Sequence, residues 1–148
     1  LNAGITEAET LLSTGYTSSG KWNLSQTCGH LNDWLRFAID GFPKNNPIMA
    51  GMLWTVKTLF GKKLLASILA DGFKANSPTN PITVPAPDAE SDADTVKKLK
   101  ETVARFVDHD GPLHPSPDFG ELDKETLLRL QICHFEHHLG FLVPKRSS

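Results

Sequence analysis

The sequence predicts an all-α fold in which four principal helices surround one core. Three observations carry that expectation. The stretch Asp123 to Leu142 places Leu127, Leu130, His134, His138 and Phe141 at the i, i+3, i+4 spacing of a core-facing helix stripe. Asp92 to Asp108 carries a second stripe, Val96, Leu99, Val103, Phe106 and Val107. No stretch alternates polar and apolar residues as a half-buried strand does, and no internal repeat is visible. At 148 residues, 39% hydrophobic and 22% charged, the chain has the size and composition of a single globular domain over residues 1–148.

Taken in order, Thr6 to Ser13 reads as a short first helix, or the tail of a longer one, with Thr6 as N-cap and Glu9 completing a capping box. Gly15 and the Ser18–Ser19–Gly20 cluster end it. Asn23 then caps a second helix from Leu24 to Asp40, with Gln26 at the position that returns the cap. Its inner face holds Leu24, Thr27, Leu31, Trp34 or Leu35, Ala38 and Ile39, with His30 on the edge. Gly41 and Pro43 stop it. After Asn45–Asn46–Pro47, residues Ile48 to Gly72 are strongly apolar but contain Gly51 and Gly61, so one broken helix or two are expected. Its wide apolar face suits packing on a bundle, and such faces often dimerise. Phe73 to Ser91, with Pro78, Pro81, Pro85 and Pro87, is expected to be a long extended loop that covers a site. The fourth helix begins with Asp92 and Asp94 placed favourably in its first turn. A turn-rich connector leads to Asp123, the cap of the last helix, with Leu122 and Leu127 forming a hydrophobic staple.

Composition removes several functions. A net charge of −2, a pI near 6.3 and scattered basic residues argue against a nucleic-acid surface. Nothing approaches the roughly 18 apolar residues of a membrane span, and Lys62 and Lys63 interrupt the most apolar segment. Two cysteines, Cys28 and Cys133, do not make a disulfide framework and are expected to be buried free thiols. The chain starts at Leu1 without methionine, so a missing upstream segment is expected. That leaves the compartment of a soluble protein open, with the cytoplasm favoured over the periplasm.

His134 and His138 stand four residues apart on one helical face, a separation that a single metal ion can bridge. His30 is the best third ligand, because it lies on the inner edge of another long helix. Three neutral imidazoles suit Zn, Ni, Cu or Fe and leave a fourth position open, as catalytic sites do. Without metal, the same histidines would be a hydrogen-bonded core pair or a partly exposed face. The string HFEHH is neither HExxH nor HxxEH: Glu136 lies about 200° around the helix from each ligand candidate, so it faces solvent and a peptidase loses its general base. His137 is read as a supporting group or surface residue, or else an alternative ligand. His114 is expected to fix a turn, with an approach to the site as the alternative, and His109 to sit at a solvated helix end. Trp22, Trp34 and Trp54 are expected in the core rather than in a substrate-stacking set.

Two stretches resemble a known family. KWNLSQTCGHLNDWLRFAIDGFP and HPSPDFGELDKETLLRLQICHFEHHLGF, about a third of the chain, are similar to the DUF1569 group of the DinB/YfiT-like metalloenzyme superfamily. The first matches that group's tryptophan, capped helix, helical histidine and Gly-Phe-Pro stop. The second matches its HP, FG and H-x-x-H-H-L ending. The resemblance implies a DinB-like four-helix bundle with a divalent metal, Zn or Ni before Fe or Cu, on His30, His134 and His138. It further implies chemistry with a small-molecule substrate, including a low-molecular-weight thiol. Gly140 and Thr126–Leu127 depart from the group's pattern without touching the ligands. The expected function is therefore a metal-dependent transferase or hydrolase activating water or a thiol. A non-catalytic metal- or ligand-binding bundle is the alternative.

Overall fold

Side-chain caps set the start of most helices. The structure is a computed structural model that describes residues 1–145 other than 76, 78 and 88; Pro78, one of the loop prolines, lies outside the described residues. The chain is mostly helical, with five α-helices and one two-stranded sheet. Helix α1 spans Asn2–Thr14. Thr6 is not its cap: its hydroxyl donates to the Asn2 carbonyl one turn back, so the helix continues through it. Asn23 does cap α2, Leu24–Asp40, and Gln26 completes the capping box. Gly41, at φ 102°, ends α2 in a conformation that L residues rarely adopt.

Helix α3, Pro47–Asp71, is a single unbroken helix capped by the Asn46 side chain. The expected break at Gly51 or Gly61 does not occur, because a lone glycine costs only about 1 kcal/mol inside a helix. The wide apolar face packs on the bundle only in part: Ile68 is in the core with Leu65 and Leu69 against it, and within α3 only Gly61 and Ile68 are buried. Helix α4, Asp92–Asp108, has Ser91 as its cap and Asp92 and Asp94 in its first turn. Val96, Leu99, Val103 and Phe106 are buried, whereas Val107 is exposed. Helix α5, Lys124–Leu139, is capped by Asp123, and Leu122 and Leu127 both join the core. It stops before Phe141 and Leu142. Leu142 instead opens strand β2, Leu142–Pro144, which pairs antiparallel with β1, Tyr16–Ser18. These strands were not expected, and at three residues each they are too short to show an alternating pattern.

Helix α2 lies along α4 and also meets α1 and α5; α1 contacts α4 and α5, and α3 contacts α5. Leu11, Leu31, Leu35, Leu99 and Phe106 form the fully buried centre of one continuous hydrophobic cluster. The start of α2 is fixed from three directions. Asp92 accepts from the Ser25 amide at 2.8 Å, and the Tyr16 hydroxyl accepts from the Leu24 amide at 2.9 Å while donating to Asp92. A carboxylate at a helix N-terminus satisfies free amides and complements the helix dipole. These contacts set the rotation of α2 and hence the direction of His30.

Candidate metal centre

Helices α2 and α5 bring His30, His134 and His138 together, with one ring nitrogen from each within 4.8 Å of the others. The ring centroids form a near-equilateral triangle: 4.8 Å between His30 and His134, 4.6 Å between His30 and His138, and 4.7 Å between His134 and His138. His30 and His134 are buried and His138 is half-buried.

Two neighbours orient the buried pair. His30 Nδ1 lies 2.7 Å from the Thr83 carbonyl oxygen, which can only accept, so this nitrogen carries the proton and Nε2 is a lone pair. Thr83 ends a short 3-10 turn, Pro81–Thr83, started by the Asn80 side chain; the proline-rich loop thus reaches the site through a backbone carbonyl. His134 Nδ1 faces the Gln131 side-chain amide at 3.3 Å; with the amide oxygen as the acceptor, the His134 lone pair falls on Nε2 as well. The two Nε2 atoms then face each other at 3.0 Å. Two neutral lone pairs at that distance repel unless a cation lies between them. Nitrogens bound tetrahedrally at the Zn–N distance of about 2.0–2.1 Å would stand about 3.4 Å apart, so a small opening of the pair accommodates an ion. The donor set fits a borderline divalent metal, and the absence of a carboxylate disfavours Mg or Ca.

Electrostatics keep the imidazoles neutral and ready to ligate. Burial, with His137 nearby as a smaller cause, pushes His30 down to about 4 despite the Thr83 carbonyl, which favours the charged form. Burial, followed by His30 and His137, pushes His138 to about 3. His134 is held well below the ordinary range by burial and then by His30, His138 and His137. Aromatic rings supply much of this dry environment. Trp22 stacks on His138 with the planes 14° apart and tilts against His30. Phe73 packs on His134 and His137, and Trp34 meets His134 edge-on.

The other sequence candidates separate cleanly. His137 packs against His138, Phe73 and Phe141 and is not in the triad. Glu136 is exposed. His114 fixes the connector, its amide donating to the Ala38 carbonyl at 2.8 Å, and its ring lies against Gly41 at the end of α2. His109 is the C-terminal cap residue of α4. Of the tryptophans, Trp22 belongs to the site rather than the core, and Trp54 is exposed. Cys28 is a buried thiol pushed up to about 12 by burial and then by Asp92, whereas Cys133 is only half-buried. Sequence reasoning missed Thr83, Phe73 and Gln131. Only Gln131 carried a signal: it stands three residues before His134 on the same helical face.

A cavity of about 480 Å³ lies between α2, α4 and the loop before α4. Its lining includes Ser25, Asn32, Asp33, Arg36, Glu90 and Lys98 but none of the triad. No helix of the described residues is long and apolar enough to cross a membrane. No curated protein and no solved structure matches the chain. The model of the family described as protein of unknown function DUF1569 matches residues 1–145, and the chain belongs to that family.

Proposed function

We propose that this chain is a divalent-metal-dependent enzyme on a DinB-like four-helix bundle, with His30, His134 and His138 as ligands and water or a low-molecular-weight thiol as the activated group. The observation that carries this reading is the facing pair of Nε2 atoms 3.0 Å apart, each aimed inward by a partner on its own Nδ1. A bound Zn or Ni would supply Lewis acidity, lowering the pKa of water or a thiol towards neutrality. The protein's own groups do the rest. Thr83 and Gln131 fix ring orientation and tautomer, as outer hydrogen bonds to ligating histidines do. Trp22, Trp34 and Phe73 exclude water and strengthen every charge interaction inside the site. The displacement of Glu136 leaves proton transfer to the activated group itself or to bulk solvent.

A metal-free reading has one specific observation in its favour. If the Gln131 amide is turned over, its NH₂ donates to His134 Nδ1, and His134 Nε2–H donates to His30 Nε2 in an ordinary hydrogen bond. X-ray absorption at the metal edge of zinc-loaded, tag-free protein separates the possibilities. Three imidazole nitrogens plus one exchangeable light ligand, replaced by sulfur on adding a small thiol, support a thiol-activating enzyme. Four protein ligands would turn the reading into a non-catalytic binding protein, and failure to load would favour the hydrogen-bonded pair.

A further inference from the structure

Helix α3 carries an apolar ridge that the rest of the described chain leaves in solvent. Ile48, Met52, Val56, Phe60 and Leu64 recur every fourth residue and form one row on the helix surface. Their exposure ranges from 37% at Val56 to 87% at Ile48, and Leu59 beside them is 66% exposed. The stripe turned towards the body is a different one, Met49, Leu53, Lys57, Gly61, Leu65 and Ile68, all half-buried or buried.

Side chains of these sizes, exposed to this degree, present roughly 600 Å² of contiguous apolar surface, at the upper end of what a monomer carries. A standard interface takes about 800 Å² per partner, and homodimers make about 65% of it apolar. The ridge alone therefore supplies the apolar part of a standard-size interface, with the flanking surface of α3 left to complete it.

Its symmetry points to a second copy of the same chain. An antiparallel two-fold axis at Val56 sets Ile48 against Leu64, Met52 against Phe60, and Val56 against itself. Large residues then meet large residues, and the smallest lies on the axis, where the helices approach most closely. Charge selects the same orientation. A parallel pairing would oppose Lys62 and Lys63 to their own copies, and α3 has no acidic residue before Asp71 to compensate. In the antiparallel pairing Lys63 lies level with position 49 of the other copy, about 20 Å along the axis from the other Lys63.

We propose that α3 is the interface of a two-fold symmetric homodimer, packed antiparallel on its own copy with the axis at Val56. Sedimentation velocity on the full chain tests it. The parent is expected at twice 16.2 kDa, Phe60→Glu at half the parent's mass with an unchanged circular dichroism spectrum, and Trp54→Glu, off the ridge, still as a dimer. Val56→Cys is expected to oxidise to a covalent dimer where the parent, with Cys28 and Cys133, does not. A parent that is monomeric far above micromolar concentration overturns the proposal, as does a dimer that survives Phe60→Glu. A monomer that instead binds vesicles containing phosphatidylserine overturns it too, assigning the ridge to a membrane surface.

Discussion

Helices α3 and α5 touch each other, yet they break the ordinary pattern of burial in opposite senses. On α5 the inward stripe is polar in part: Gln131 and His134 are buried where leucines would pack, with His138 half-buried beside them. On α3 the side chains are of core type, but most of the helix stands in solvent. A buried imidazole costs stability unless it has a partner, so α5 marks where the candidate site lies. An exposed apolar ridge of this size is what an interaction surface presents, so α3 marks a candidate interface.

The sharpest way to separate the two helices is truncation. Leu130→Ala, in the buried stripe of α5, is expected to cost about 2–5 kcal/mol, read from chemical denaturation at fixed protein concentration. A loss below 1 kcal/mol would mean that α5 is not a core helix.

Acid should act on the site that α5 shares with α2. In protein stripped of metal, His30 is held at about 4 by burial first and then by His137, against about 6.5 in the unfolded chain. Between these values the unfolded state binds the extra proton, so folding stability falls as pH drops through the window from 6.5 to 4 and is restored as pH rises. For His30 alone the full difference is roughly 3 kcal/mol. His30→Phe should reduce the slope of the stability–pH curve in that window, with His134 and His138 supplying what remains, whereas an unchanged slope would place its origin outside His30.

Gln131→Leu isolates the orienting contact. Removing the acceptor from buried His134 is expected to cost about 1–3 kcal/mol and to weaken metal binding about 10–100-fold, measured by competition with a chromophoric chelator. Equal affinity in the variant would remove Gln131 from the site. The smallest effect belongs to α3. Ile48→Ala in the Phe60→Glu background should change folding stability by no more than about 0.5 kcal/mol, and a larger loss would show that Ile48 packs within its own chain.

The legible parts of the fold were those with local causes. Asn23 with Gln26 and Asp123 each satisfy free amides of their own helix, and the bounds of α2 and α4 followed from glycine, proline and stripe periodicity, whereas the Ser91 cap of α4 went unread. Thr6 misled because a threonine inside a helix can satisfy its hydroxyl on the preceding turn. Phe141 continued the stripe of α5 in sequence, although the chain had already turned at Gly140 to build a strand pair with residues more than a hundred positions away. For the site, His30, His134 and His138 were visible because helical spacing converts directly into a shared face. Thr83 was not, since it acts through a carbonyl that every residue possesses. Trp22 lies outside any helix, so no periodicity could point it at His138. The exposure of α3 was invisible for a related reason: apolar residues announce that a face can be buried but not which surface buries it.

Whether the three imidazoles converge to hold a metal is open to a direct test. It is tested most directly by the metal content of protein purified without an affinity tag, in the parent and in His138→Ala, with circular dichroism on both. Close to one equivalent of Zn or Ni per chain is expected in the parent, and its loss in a variant that keeps its helical spectrum. A parent that carries no metal and takes none up, or a variant whose metal content equals the parent's, would contradict it.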